Sequence, residues 1–265
     1  MKRISIRHRY EGVCPSIVHA NGVANTRLWE IIRDQFFVTA GKFNPVCDHG
    51  QQQDWTKELT VLTWNTTDNV GTFERSCKTL GIPAYVMTKK IEVTTPNTRI
   101  TYPAKILTTI EMLPQVKTKY VMMVDSFDAI MLENPARILE AYLNKPKSGK
   151  IVFSAEMGHF PSDSPTKDME FKRTTNKRCF LNAGFCIGET NHVLQLYQRA
   201  KEHGDEWDHR CLLTDQAAIK KAYVSDFWDQ IELDYNAQMC LNLYGTKAGE
   251  LELLYVNNGI RLETV

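Results

Sequence analysis

From Leu59 onward the chain alternates short apolar runs with stretches whose apolar positions recur at helical spacing. Leu59 to Trp64 has the length and content of a buried strand. Phe73, Cys77 and Leu80 then share one helical face, with Thr72 placed to cap the helix and Gly81 to end it. Ile82 to Met87 reads as a second strand. Pro103 suits a first helical turn, and Ile106, Leu107, Ile110 and Leu113 follow at helical spacing until Pro114 stops the pattern. Next come the strand Tyr120 to Val124, a helix opened by Asn134-Pro135 and the strand Ile151 to Ser154. This β-α-β-α-β order predicts a Rossmann-type α/β fold, a mostly parallel sheet with flanking helices.

The second half is less regular. A charged loop from Gly158 to Arg178 precedes a Gly-containing strand, Phe180 to Ile187, and a helix from Thr190 to His203. Another helix starts near Thr214, and Leu251 to Leu262 reads as a hairpin turning at Asn257-Asn258-Gly259. No internal repeat and no Pro/Gly/Ser linker divides the 265 residues, so a single domain is expected. Its core is 58–265, preceded by a segment 1–57 that ends in a polar stretch.

Composition narrows the chemistry. Apolar residues make up 43% and charged residues 24%, ordinary for a folded soluble protein. Lys plus Arg is 32 and Asp plus Glu is 31, so any preference for a polyanion has to be local. No apolar run has transmembrane length and no signal-peptide core follows Met1, which leads us to expect a cytoplasmic protein without a membrane partner. Seven scattered cysteines, none in a C-x-x-C arrangement, argue against a disulfide framework and a structural zinc site.

The strand at Tyr120 runs into Asp125-Ser126-Phe127-Asp128, so two carboxylates emerge at a strand's carboxyl end, where open α/β sheets bind ligands. Like charges so close call for a cation, and hard oxygen ligands suit Mg²⁺ or Mn²⁺. The bland alternative is that Asp125 caps a turn and Asp128 is solvated. Ile151-Val152-Phe153-Ser154-Ala155 ends similarly at Glu156, on the same edge if the strands are parallel. There is no G-x-G-x-x-G, Walker, H-E-x-x-H or G-x-S-x-G motif. Acids on the carboxyl edge, a divalent metal and no P-loop fit a nucleotide-sugar transferase.

Five short motifs then carry a resemblance. Asp125-Ser126-Phe127-Asp128, Phe153-Ser154-Ala155-Glu156, the segment from Lys177 to Gly188, Asp215-Gln216 and Asn242-Leu243-Tyr244-Gly245 occur in this order. Together they resemble the glycosyltransferase domain of the multifunctional procollagen lysyl hydroxylases and their viral and microbial relatives, which has a GT-A fold. The resemblance implies that Asp125 and Asp128 are metal ligands and that Phe127 packs on the uracil. It implies that Lys105 approaches the diphosphate, and that Glu156 and Asp215 are the catalytic acids facing sugar and acceptor. The third metal ligand is a histidine in a Val-His-x-Asn-Gly motif, here Val18-His19-Ala20-Asn21-Gly22. Asn21, Gly22, Trp64 and Asn182 complete the implied nucleotide-sugar contacts. An imidazole ligand favours Mn²⁺ over Mg²⁺.

Three departures from the family pattern stand out. The histidine motif precedes the domain here, whereas in the relatives it follows the final strands, so a circular permutation is expected to bring the chain ends together. Thr214 replaces an acid of the relatives' acidic run, which leaves open whether Asp215 acts chemically or only caps its helix. The loop after Glu156 holds Lys167, Lys172, Arg173, Lys177 and Arg178 against Asp163, Asp168 and Glu170, a local excess of basic charge. Such a loop is either simply solvated or a contact for a phosphate backbone. The expected activity is metal-dependent transfer of a hexose from UDP-glucose or UDP-galactose to a hydroxyl of a macromolecule. Hydroxylysine in a protein and a hydroxymethylpyrimidine in DNA are the two candidate acceptors. A non-catalytic sugar-nucleotide or glycan-binding module is the reading from another class.

Overall fold

A computed structural model describes residues 2–21, 26–40, 54–65, 67–87, 102–145, 151–162, 165–205, 214–257 and 260–263. The chain opens with β1 (Lys2–His8), β2 (Ile17–His19) and α1 (Thr26–Ala40). Then come β3 (Leu59–Trp64), α2 (Thr72–Leu80), β4 (Tyr85–Met87), α3 (Tyr102–Met112), β5 (Tyr120–Asp125), β6 (Ala129–Met131), α4 (Pro135–Leu143) and β7 (Ile151–Glu156). The remainder is α5 (Lys167–Lys172), β8 (Phe180–Glu189), α6 (Thr190–Asp205), α7 (Asp215–Ser225), β9 (Ile231–Asp234), β10 (Cys240–Asn242), β11 (Leu251–Asn257) and β12 (Ile260–Glu263).

The main sheet has the order β4-β3-β5-β8-β7-β9. It is mostly parallel, with β8 inserted antiparallel to both β5 and β7. Because those two strands each oppose β8, they are parallel to each other. Asp125 and Glu156 therefore open on one edge, as the sequence predicts. Side chains of β5 alternate between two apolar layers, Val121 and Met123 on one face, Met122 and Val124 on the other. Leu196 of α6 and Ile219 of α7 join the first layer; Phe73 of α2 and Ile138 of α4 join the second.

Two smaller sheets join the start of the chain to its later strands. β2 lies between β10 and β6, parallel to the first and antiparallel to the second. β1 pairs antiparallel with β11, which pairs in turn with β12, so the hairpin is present; its turn residues Asn258 and Gly259 lie outside the described residues. Trp29, Ile32 and Phe36 of α1 pack on Val18, Ile130 and Leu241. Burial of each such side chain is worth roughly 1.5–3 kcal/mol, which fastens the N-terminal segment into the domain.

Local signals hold with small revisions. Gly81 ends α2 in the left-handed conformation, and Asn134 caps α4 through Ala136. The cap of α2 is Gly71 rather than Thr72, because a Cβ there would lie 1.8 Å from Ser126 Oγ. Glu74 Oε1 accepts from the Gly71 amide and from Ser126 Oγ, tying this helix start to the turn after β5. The second strand is shorter than expected, since only Tyr85–Met87 pair. Cys14, Cys77, Cys179, Cys186 and Cys240 are free; Cys47 and Cys211 lie outside the described residues. Among the described residues no helix is long and apolar enough to cross a membrane.

Candidate active site

At the carboxyl edge of the main sheet lies a cleft of about 580 Å³ lined by His19, Asn21, Lys105, Asp125, Asp128, Glu156, Asn182 and Asp215, among others. Strand register assembles it. In the small sheet His19 stands opposite Ala129, one residue after Asp128, and beside Asn242 on its other flank. The Ala20 amide donates to the Asp128 carbonyl at 2.7 Å and the Leu243 amide to the His19 carbonyl at 2.9 Å. His19 Nε2 thus comes to 3.3 Å from Asp128 Oδ1 and 3.7 Å from Asp125 Oδ2. Ligand atoms of the three residues lie within 4.8 Å of one another.

Hydrogen bonding fixes which imidazole nitrogen faces the acids. Asn242 Nδ2 donates to the Ala155 carbonyl, an acceptor only, so Asn242 Oδ1 faces His19 Nδ1 at 2.7 Å. Nδ1 must then carry hydrogen, and the lone pair of the neutral ring sits on Nε2. That atom is buried without a hydrogen-bond partner among the described residues. A buried imidazole nitrogen aimed between two carboxylates, its other nitrogen oriented by an amide, is a donor set that fits a divalent cation. The field at this position favours any positive charge, a proton as well as a metal ion. Burial opposes protonation of His19, but Asp128 and Asp125 outweigh it and push the imidazole up to about 9. Asp128 feels burial first and is nonetheless held below the usual carboxylate range by His19. Burial, reinforced by Asp128, lifts Asp125 despite Lys105.

Lys105 reaches in from α3. Its ammonium bridges Asp125 Oδ1 at 2.7 Å and Asp215 Oδ2 at 2.8 Å, and donates to the Ala183 carbonyl at 3.2 Å. Burial works against that charge, but the two carboxylates raise its pKa above the ordinary lysine value. Trp64 is placed differently from the sequence expectation. It is buried beneath the cleft, donates through Nε1 to Thr109 and lies 4.1 Å below the Lys105 ammonium, so its side chain supports the lysine rather than lining the site. Phe127 is 43% exposed on the turn between the two acids, outside the cleft lining. Gly22 lies outside the described residues.

Glu156 is buried, and both its oxygens are engaged. Asn21 Nδ2 donates to Oε2 at 2.6 Å, and Gln216 Nε2 donates to Oε1 at 2.7 Å. Burial lifts its carboxyl above the ordinary range, opposed by Lys220 and Gln216. Asn182 stands near Glu156 on β8, its Oδ1 accepting from the Gly184 amide. The helix-cap question at Asp215 is resolved by Thr214, whose hydroxyl accepts from the Ala217 amide, leaving Asp215 to meet Lys105. The residue that replaces the family acid has become the cap.

The basic loop is less basic than its sequence implies. Arg178 is buried against Glu11 and His8, and Arg173 lies over Tyr223 and Trp228. Lys167, Lys172 and Lys177 are exposed but do not line the cleft. Glu170, one of the loop's acids, is wholly buried, and Asp163 lies outside the described residues.

Sequence reasoning left Asn242, Gln216, Tyr244 and Gly184 without roles, although each stands in a motif it singled out. Tyr244 lines the cleft and donates its amide to Asn21 Oδ1; Gln216 accepts from the Ala183 amide while holding Glu156. Their spacing in the chain announced nothing, because each acts through a neighbour brought close only by the fold.

Comparison with known proteins adds the family. One curated relative, the uncharacterized protein R699 of Acanthamoeba polyphaga mimivirus, is 24% identical over 126 residues, covering 48% of this chain and 25% of that protein. The chain thus spans about a quarter of the length of the relative it matches. Among solved structures, a glycosyltransferase involved in glycosylating the major capsid of PBCV-1 is similar with TM-score 0.42 and 12% identity, over 73% of this chain and 96% of that one. Mouse xyloside xylosyltransferase 1 has TM-score 0.38 and 10% identity, over 70% and 85%. The PLOD GT domain model matches residues 54–265, most of the chain but not the segment carrying His19, and the chain belongs to this family of glycosyltransferase domains.

Proposed function

We propose that this domain transfers a hexose from UDP-glucose or UDP-galactose to a hydroxyl group, with Mn²⁺ held by His19, Asp125 and Asp128. The single observation that carries this reading is the convergence of those three side chains at the mouth of β5, with a buried imidazole nitrogen facing the acids. When bound there, a divalent cation neutralises charge developing on the departing diphosphate. Lys105 adds a second positive charge close by, held in place by Asp215 and the face of Trp64. Glu156 faces the sugar and the incoming hydroxyl, kept rigid by Asn21 and Gln216. Phe127, Asn182, Asn21 and Gly22 are assigned to the nucleotide sugar. The placement of the His19 motif before the core, with β2 seated between β6 and β10, supports a circularly permuted arrangement of the family domain.

Of the two acceptors, the hydroxylysine type is favoured. A phosphate backbone needs exposed cations beside the cleft, whereas two arginines of the basic loop are consumed internally and its lysines lie off the cleft wall.

The test is release of UDP from each UDP-sugar on addition of Mn²⁺, with hydroxylysine peptide or hydroxymethylated DNA as acceptor. Stimulation by the peptide, with little dependence on salt, is expected. Intact UDP-sugar under all conditions would instead identify a binding module, and a steep salt dependence with DNA would reverse the choice of acceptor. Replacing Asn242 by Ala should weaken Mn²⁺ affinity about 10- to 100-fold, because the ring then loses its orienting partner. Titration followed by the paramagnetic signal of free Mn²⁺ measures this, and an unaltered affinity would remove Asn242 from the site.

A further inference from the structure

One face of α7 carries three polar residues at helical spacing, Gln216, Lys220 and Tyr223. Each grips the segment between Glu156 and Arg173. Gln216 Nε2 donates to the Phe160 carbonyl at 3.0 Å, Lys220 Nζ lies 3.4 Å from Glu170 Oε1, and Tyr223 OH accepts from Arg173. The middle contact is wholly buried on both sides. Glu170 also accepts from the Leu181 amide at 2.7 Å and from Thr166 Oγ1 at 2.8 Å, and its Oε1 is 3.5 Å from His159 Nε2. A carboxylate of α5 at zero exposure is therefore the junction between β8, α7 and the segment that bears His159 and Phe160.

That segment forms the cleft wall remote from the metal triad. His159, Phe160 and Ser162 line it, and Phe160 keeps 47% of its surface exposed. With the diphosphate placed at His19, Asp125, Asp128 and Lys105, this wall faces the incoming acceptor. A buried ammonium is a demanding way to fasten this segment, since burial disfavours its charge and Glu170, followed by Glu156, opposes that. An apolar residue would fill the space but would leave Glu170 buried without a countercharge.

We infer that Lys220 and Glu170 are positioning residues that seat residues 158–162 and 165–173 on α7 and so fix the acceptor wall of the cleft. The assignment of the wall to the acceptor rests on the transferase reading above; the seating itself does not.

The test compares K220M, E170Q and the E170Q/K220M double variant in the full chain. In K220M, amide hydrogen exchange should accelerate across 158–162 and 165–173 while β5 and β8 stay protected. The acceptor kcat/KM should fall roughly 10- to 100-fold, the scale of an error of about 1 Å in placement. Mn²⁺-dependent UDP affinity should stay within about twofold of the parent, as neither Lys220 nor Glu170 lines the cleft or touches the triad residues. The double variant, with no unbalanced buried charge, should recover part of the lost protection. Unchanged exchange over 158–162 and 165–173 in K220M would overturn the proposal, as would a loss of UDP affinity in step with acceptor kcat/KM. A parent protein that never cleaves UDP-sugar would defeat the transferase reading alone, and the exchange measurement would still decide the seating.

Discussion

Asp125→Ala is expected to abolish sugar transfer and Mn²⁺-dependent UDP binding together. The residue sits where two demands meet: Oδ2 is 3.7 Å from His19 Nε2, and Oδ1 takes the Lys105 ammonium at 2.7 Å. Truncation removes one of the three proposed metal ligands and also releases the lysine proposed to face the leaving diphosphate. Loss of one preorganised electrostatic contact typically lowers kcat by about 10²–10³, and here two go at once. A fall of at least ~10³-fold is therefore expected, measured as UDP released at saturating donor. The fold should survive, because Asp125 ends β5 at the solvent edge while Val121 to Val124 remain buried. Turnover within tenfold of the parent would remove Asp125 from the chemistry. Phe127→Ala, two residues along the same turn, should instead raise donor KM with smaller change in kcat, as stacking alone is at stake.

Much of this architecture was legible in the sequence where the signal is local. Continuous apolar runs located β3, β5 and β7, and helical spacing located α2, α3 and α6. The acids at the ends of β5 and β7 were visible as such, because a strand's carboxyl end follows directly from where its apolar run stops. What stayed hidden depends on pairing between distant segments. β2 and β10 are three residues each, too short to carry a period, and they become strands only because they flank one another beside β6. The family resemblance implies a nucleotide contact for Trp64, yet its ring turns inward beneath Lys105, a direction that no motif carries. The charged loop misled for a related reason. Formal charge counts every Arg and Glu alike, whereas Arg178 and Glu170 are folded inside.

Gly184→Ala is expected to cost the site its cation affinity without any change in ligand identity. Gly184 lies in β8 directly behind the imidazole, and a Cβ there would fall 2.2 Å from His19 Cε1 and 2.7 Å from Nε2. Something has to yield at such distances. β8 has five register pairs with β5 and five with β7, but Gly184 falls in the irregularity between them, where its amide donates to Asn182 Oδ1. β2, which carries His19, has only three pairs with each neighbour. The imidazole, a side chain oriented by its Nδ1 contact to Asn242, is the part expected to yield and to be driven away from Asp125 and Asp128. Overpacking of this kind destabilises a core by about 1–3 kcal/mol, a loss a domain of this size tolerates. Mn²⁺ affinity should drop by at least the ~10- to 100-fold that follows loss of an orienting contact, since here the ligand itself is displaced. Calorimetric titration with Mn²⁺ and UDP, beside a urea unfolding curve of parental slope, separates displacement from unfolding. A Gly184→Ala protein that binds Mn²⁺ and UDP as tightly as its parent would mean that His19 is not pinned where its neighbours place it.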